Sequence, residues 1–172
     1  MLRVGGLTRL SASDYPDKLA AVVYCQGCAW RCTYCHNQHL LPRRSEELIP
    51  WEEVLEFLER RRGLLDAVVF SGGEPTLQPS LKEAMQSVRD MGYLVGLHTA
   101  GIVPRVLERI LPLVHWVAMD LKGSWENHEQ VTGTRGSGRR AKKSMQIIAA
   151  SGVPCRFHTI HGNAQVVQAS GL

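Results

Sequence analysis

Four of the chain's five cysteines crowd into one segment, Cys25-Gln-Gly-Cys28-Ala-Trp-Arg-Cys32-Thr-Tyr-Cys35-His36-Asn37. Thiolates are the protein ligands of iron–sulfur clusters, and close spacing lets a single loop wrap one cubane. The C-x3-C-x2-C triplet of Cys28, Cys32 and Cys35 supplies three thiolates for the four irons of a [4Fe–4S] cluster, which leaves one iron open to a small molecule. An open position suits chemistry, whereas a fully ligated cluster suits electron transfer. Two other uses of these thiols compete. Cys28, Cys32 and Cys35 stand at i, i+4 and i+7, so a helix would bury them as core on one face, although Trp30, Arg31 and His36 interrupt such a stripe. Structural zinc would take all four cysteines, yet zinc sites usually take two ligand pairs separated by a longer loop than this segment offers. Disulfides fit poorly, because bridged cysteines are typically spread along a small secreted chain with an export signal. Cys25, at the end of an apolar run, reads as a buried strand residue rather than a fourth ligand.

Three further segments carry residues able to meet a charged ligand. Gly72-Gly73-Glu74-Pro75 follows an apolar run; the glycines allow a ligand close to the backbone, and Glu74 favours a positive charge nearby. An ordinary strand-to-helix turn would look the same. In Asp120-Leu121-Lys122 the two charges stand at i and i+2, on one strand face, so both can enter one cavity; the plain alternative is a solvated ion pair. His98-Thr99-Ala100-Gly101 offers Thr99 as a contact, while His98 reads as a satisfied core or rim histidine. Trp30 and Tyr34 flank the cysteines and could cover a bound group. The basic run from Arg135 to Lys143 could meet phosphate or an acidic partner, or form a solvated helix face. It lacks interleaved aromatics, which argues against nucleic acid.

Short β-rich runs alternate with helical ones. Strands are predicted at 19–24, 66–70, 93–99, 114–121 and 153–160. Helices are predicted at 51–62, at 80–91 with a Ser80/Glu83 capping box and Gly92 as terminator, at 104–111 with Pro104 in the first turn, and from a Ser137 cap to Ala150. Strand–helix alternation is the pattern of parallel βαβ units, so the fold class is α/β. In such folds ligands gather at the carboxyl ends of the strands, where the residues above largely fall.

At 172 residues the length suits one domain. No run of eighteen apolar residues is present, which excludes an ordinary membrane-spanning helix. The opening MLRVGGLTRL lacks the apolar stretch of a signal peptide, so the expected location is the cytoplasm. The net charge of +4 permits an acidic partner without requiring one.

C-x3-C-x-aromatic-C, with Tyr34 as the aromatic, resembles the motif of the radical S-adenosylmethionine (SAM) superfamily. GCAWRCTYCHN together with Gly72-Gly73-Glu74-Pro75 looks like the glycyl-radical-enzyme activases. Within them, the opening GLTRLSASDYPDKLAAVVYCQGC is most similar to the anaerobic ribonucleoside-triphosphate reductase-activating proteins. The resemblance covers roughly residues 4 to 160. It implies a partial (βα)6 barrel with the cluster at its top and SAM chelating the open iron through its amino and carboxylate groups. One electron would split SAM into methionine and a 5′-deoxyadenosyl radical, which would take hydrogen from a glycine of a partner enzyme. The resemblance places the methionine ammonium at the Gly72-Gly73-Glu74 loop, sets Asp120 and Lys122 against the methionine end, and puts Tyr34 beside the cofactors, with Thr99 as a further contact. Implied partners are a glycyl radical enzyme, an anaerobic ribonucleotide reductase first, and a one-electron donor such as a flavodoxin-type protein. His98 and Ala100 depart from the family's Asp-Thr-Asn-Gly, and Asp17 replaces the glycine of its Asp-Tyr-Pro-Gly-Lys. After Thr159 the family continues through another helix and strand that HGNAQVVQASGL does not match. The expected division is therefore a radical SAM domain over residues 1–160 and an atypical tail over 161–172, with the barrel shortened after about five βα units. Competing functions are a radical SAM enzyme acting on a small molecule, as in deazapurine biosynthesis, and a zinc-bound interaction module.

Overall fold

The structure is a computed structural model and describes residues 1–159 and 167–169. Its strands are β1 (Val4–Ser11), β2 (Ala20–Cys25), β3 (Ala67–Gly72), β4 (Leu94–Thr99), β5 (Trp116–Leu121), β6 (Cys155–Thr159) and β7 (Val167–Ala169). They form one sheet in chain order, in which β2 to β6 run parallel and β1 and β7 lie antiparallel at the two edges. The helices are α1 (Trp51–Glu59), α2 (Leu81–Asp90), α3 (Pro104–Ile110), α4 (His128–Thr132) and α5 (Ser137–Ala150). Parallel neighbours need crossovers, and α1, α2, α3 and α5 lie in the four connections between β2 and β6. The expected partial (βα)6 barrel is present as an open sheet of five parallel strands with its two edges apart.

Alternation along the strands divides the buried residues between two faces. Ala21, Val23, Val68, Phe70, Val95, Leu97, Val117 and Met119 pack with the apolar faces of the helices, including Val54 and Leu58 of α1, Met85 and Val88 of α2, and Ile148 of α5. Burying a Phe70 or Leu97 side chain contributes about 1.5–3 kcal/mol. Ala20, Val22, Ala67 and Val69 face the other way, under Tyr15. Burial on both faces is why these strands read as unbroken apolar runs. Tyr15 belongs to the Asp14–Lys18 turn, in which Asp17 has φ of 57°, the left-handed region that a glycine takes without strain.

Several sequence expectations change in detail. Strand β1 escapes the pattern because Gly5-Gly6 interrupts its side-chain alternation, and glycines read as strand breakers. Ser80 does precede α2, but its φ/ψ of −96°/21° is outside the extended region a capping serine uses, and no capping bond forms. Gly136, not Ser137, sits at the cap of α5; the Ser137 hydroxyl turns inward instead. Arg139, Arg140, Lys142 and Lys143 form the exposed side of α5, the solvated-face alternative. Most of the 161–172 tail lies outside the described residues. Val167–Ala169 pairs with Cys155–Phe157, so this stretch of the β6 edge is covered.

Candidate metal and cofactor site

The residues after β2 leave the sheet as an irregular loop, not a helix. Its backbone is held by bonds to its own return stretch and to α4: Gly27 N–H to the Leu40 carbonyl (2.7 Å), Cys28 N–H to Leu41 (3.1 Å), Arg31 N–H to Thr132 (2.9 Å) and Thr33 N–H to Val131 (3.1 Å). Gln26 braces the return stretch by donating to the carbonyls of His39 and Pro42. The core-helix alternative for the cysteines is thereby removed. Cys28, Cys32 and Cys35 are free, partly exposed thiols that all line one cavity of about 260 Å³. Cys25 is fully buried in the sheet core and does not line it, in keeping with its reading as a strand residue.

This donor set fits a cluster bound by three cysteines. Burial pushes the Cys28 thiol up to about 11, and burial also raises Cys32 while the Lys122 ammonium pulls it down. A metal centre would relieve that penalty, because it binds the thiolate and releases the proton. Among the described residues no group of three or more His, Cys, Asp or Glu side chains is set to hold a single metal ion. The three thiols share the lining of one cavity.

The opposite wall is the end of β3. Gly72 and Gly73 line the cavity, but their need for glycine comes first from protein packing. At Gly72, φ is +100° and a Cβ would stand 2.6 Å from the Cys25 nitrogen; at Gly73 a Cβ would stand 2.5 Å from the Gly27 carbonyl oxygen. Gly73 and Glu74 donate their N–H groups to the Cys25 and Gly27 carbonyls, so this loop is sewn to the root of the cysteine loop. Glu74 itself does not line the cavity. Its fully buried carboxylate accepts from Thr76 N–H (3.1 Å), Thr76 Oγ1 (2.6 Å), Thr99 Oγ1 (2.6 Å) and Ala100 N–H (2.9 Å). Burial raises its pKa, and the bonds from Thr76, Thr99 and Ala100 oppose that rise. The sequence expectation of a carboxylate facing a ligand ammonium thus becomes a brace that joins the ends of β3 and β4. Thr99 lines the cavity while donating to this brace.

Asp120 and Lys122, at the end of β5, both enter the cavity as their i, i+2 spacing requires, with Nζ 3.0 Å from Oδ2. Tyr34 crosses from the cysteine loop and donates its hydroxyl to the Lys122 carbonyl (2.6 Å). Burial raises the Tyr34 pKa, with Cys32 and Asp120 adding to the effect, so it stays a neutral donor. His98 takes the rim position expected for it: Nε2 lies 2.8 Å from the Asp14 carbonyl, and burial keeps the imidazole below its ordinary pKa. A second space of about 600 Å³ opens on the inner sheet face between the Tyr15 turn and β6, and both His98 and Asp120 line the two spaces. The sequence reading missed the buried polar residues behind the loop, Gln26, Gln78, His128 and Thr132. Their partners lie up to 75 residues away, as in the bond from Arg3 N–H to Gln78 Oε1, and no local spacing announces them.

Residues 22–163 match the radical SAM superfamily. The chain belongs to that superfamily. Several of its relatives carry names of glycyl-radical-enzyme activating enzymes. A protein of Methanocaldococcus jannaschii named as a glycyl-radical enzyme activating enzyme is 34% identical over 152 residues, covering 84% of this chain and 61% of its own length. The pyruvate formate-lyase-activating enzyme of Clostridium pasteurianum is 32% identical over 127 residues, covering 71% of this chain and 53% of its own length. The chain therefore spans about half to three-fifths of these relatives. Streptococcus suis SuiB bound to S-adenosylmethionine superposes with a TM-score of 0.65 at 18% identity, over 83% of this chain and 34% of that one. Escherichia coli QueE does so with a TM-score of 0.57 at 13% identity, over 92% of this chain and 84% of that one. These two likenesses show the shared fold. The cofactors of the radical SAM family are a [4Fe–4S] cluster and SAM, and the three-thiol cavity is where such a cluster fits. No helix among the described residues is long and apolar enough to cross a membrane.

Proposed function

We propose that this radical SAM chain installs a glycyl radical on a partner enzyme, an anaerobic ribonucleoside-triphosphate reductase, by reductive cleavage of SAM. One observation carries the reading: the thiols of Cys28, Cys32 and Cys35, the Gly72-Gly73 backbone, Tyr34, Thr99 and the Asp120–Lys122 pair all line one cavity at the carboxyl ends of the parallel strands. The bound cluster would supply the single electron that splits the sulfonium. The protein's part is to bind, orient and shield. Cys28, Cys32 and Cys35 hold the cluster and leave one iron free for SAM. The backbone at Gly72 and Gly73 presents the loop edge to the methionine ammonium, and Asp120 and Lys122 meet the methionine end with opposite charges. Glu74 acts behind them, holding the Gly73 loop and Thr99 in register.

The inner-face space, joined to the cavity at His98 and Asp120, would receive the glycine-bearing segment of the partner. The reductase is favoured among glycyl radical enzymes by the resemblance of the opening residues GLTRLSASDYPDKLAAVVYCQGC. Exposed Arg31, Arg43 and Arg44 beside the cysteine loop suit an acidic, flavodoxin-type electron donor.

The test is anaerobic reconstitution with iron and sulfide, reduction, and addition of SAM with and without the reductase. The expected products are 5′-deoxyadenosine in both mixtures and a glycyl radical doublet in electron paramagnetic resonance (EPR) with the reductase. Deoxyadenosine without any doublet would remove the reductase as partner. Binding of zinc with no iron would remove the radical reading altogether.

A further inference from the structure

The inner-face space has two kinds of wall. Ala12, Ser13, Tyr15, Pro16 and Asp17, from the connection between β1 and β2, line one side, and every other lining residue stands on β4, β5 or β6. The width of the space therefore depends on where that connection lies over the sheet. Its own bonds are local: Ser13 and Asp14 donate their N–H groups to Ser11 Oγ, the Ser11 hydroxyl donates to the Asp14 carboxylate, and Lys18 N–H donates to the Tyr15 carbonyl. They shape the turn without tying it to the strand ends. Tyr15 rests against Trp116 of β5, with ring centroids 5.5 Å apart, and Gly96 of β4 makes room for it, since a Cβ there would stand 3.1 Å from Tyr15 Cδ2. Apolar contact of this kind has no direction and permits sliding.

Among the described residues, one hydrogen bond ties residues 12–17 to β3, β4, β5 or β6: Nε2 of His98 lies 2.8 Å from the Asp14 carbonyl oxygen. A carbonyl can only accept, so Nε2 carries the proton. Burial keeps the imidazole below its ordinary pKa, which leaves the ring neutral and Nδ1 bare, 3.9 Å from Asp14 Oδ1. The ring also meets Trp116 edge-on, with centroids 5.5 Å apart and planes at 67°, so it is held on a second side. The family's Asp-Thr-Asn-Gly carries an aspartate where this chain has His98. An ionised carboxylate offers acceptors only, so it could not bond the Asp14 carbonyl. Successive residues of β4 point to opposite faces and divide the work: Thr99 donates to the Glu74 brace, and His98 donates to the turn.

We propose that His98 is a positioning residue for the substrate segment: its Nε2–H latches the Asp14 turn to β4 and so sets the width of the inner-face space. His98 lines both that space and the cysteine cavity, so the latch lies where the two meet. With the bond made, the wall that a glycine-bearing segment meets is held at one distance from the strand ends. Without it the turn keeps its local shape and its aromatic contact, but its distance from the sheet is no longer fixed. The segment then settles in several positions, few of which bring its glycine Cα to the reacting end. The latch itself stands independently of the proposed activity; its bearing on the substrate rests on the proposed function.

The experiment has two arms. In the full chain, nitrogen-15 nuclear magnetic resonance should find the His98 proton on Nε2 and Nδ1 bare. His98→Asp and His98→Phe, which remove the donor, should each speed amide exchange at Asp14 and Lys18 by about tenfold, the worth of one buried hydrogen bond. His98→Gln, whose amide donates at similar reach, should restore the slow exchange. In anaerobically reconstituted protein, the probe is a synthetic peptide copied from the reductase's glycine-bearing segment, with that glycine dideuterated at Cα; transfer is read as deuterium in 5′-deoxyadenosine. His98→Asp and His98→Phe should raise the peptide KM about fivefold or more with a smaller change in kcat, and His98→Gln should return it. A proton on Nδ1 with Nε2 bare, or unchanged exchange in both donor-less variants, overturns the latch; if His98→Phe does not fold, His98→Asp alone decides. Faster exchange with an unchanged peptide KM overturns the positioning role. A parent chain that cleaves SAM but takes no deuterium from the peptide would sink the proposed function and the substrate role with it, while the ring nitrogens and amide exchange would still decide the latch.

Discussion

The cysteine loop over residues 26–44 and the strand-end corner around Glu74 face one another across the same cavity, yet they are built from different materials. The loop has no ladder of its own, and its amides find partners on Leu40, Leu41, Val131 and Thr132. The corner is the continuation of β3 and β4, held by one buried carboxylate that collects four hydrogen bonds. A loop held by scattered single bonds can lose one and keep its course, whereas a corner organised on one group depends on that group. The loop therefore carries the three thiols proposed as cluster ligands, which a bound cluster would further tie together, and the corner carries the geometry against which they are set.

The largest effects should come from the loop's ligands. Cys28→Ala, Cys32→Ala or Cys35→Ala should each abolish iron and sulfide retention after anaerobic reconstitution, with no 5′-deoxyadenosine formed; a full-strength cluster in any one of them would break the three-ligand assignment. Next comes the corner. Glu74→Ala strands Thr76, Thr99 and Ala100 without their acceptor and should lower stability by about 3 kcal/mol or more, read as a fall in urea midpoint. A loss under about 0.5 kcal/mol would mean that the carboxylate is dispensable and the contrast between the walls false.

A smaller effect is expected from pH. Burial holds His98, His115 and His128 below the ordinary imidazole value of 6.5. The unfolded chain then takes up protons near 6.5 while the folded chain resists until lower pH. Stability from this source is complete above that value and falls as pH drops through it toward the folded pKa values. Urea midpoints that rise on acidification would contradict this. The mildest change is Cys25→Ser. It places a hydroxyl in the apolar core at a cost of about 1–2 kcal/mol, yet the cluster's absorbance and EPR signal should persist. Loss of the cubane there would make Cys25 a ligand.

Much of the fold was legible because parallel strands buried on both faces, such as Ala20–Cys25 and Ala67–Gly72, read as apolar runs that begin and end within a residue or two of their observed bounds. Helix α2 ends where Gly92 takes φ of +92°. The edge strand β1 and the five-residue α4 were not legible, the first because of Gly5-Gly6 and the second because it is too short to show a period. Within the site, the three cysteines and the Asp120/Lys122 face were readable from spacing alone. The inward turn of Glu74 was not, since a carboxylate after two glycines suits a ligand and a buried brace equally well.

Local spacing, then, determined which residues can share a strand face and which thiols can reach one cluster, because backbone geometry repeats over two to four residues. The tertiary structure alone decided what Glu74 and His98 do. The donors that surround one carboxylate come from residues 76, 99 and 100, and the imidazole of His98 meets the Asp14 carbonyl and the Trp116 ring. Burial removes water as the default partner, so a polar group's role is set by whichever chain segments fold against it.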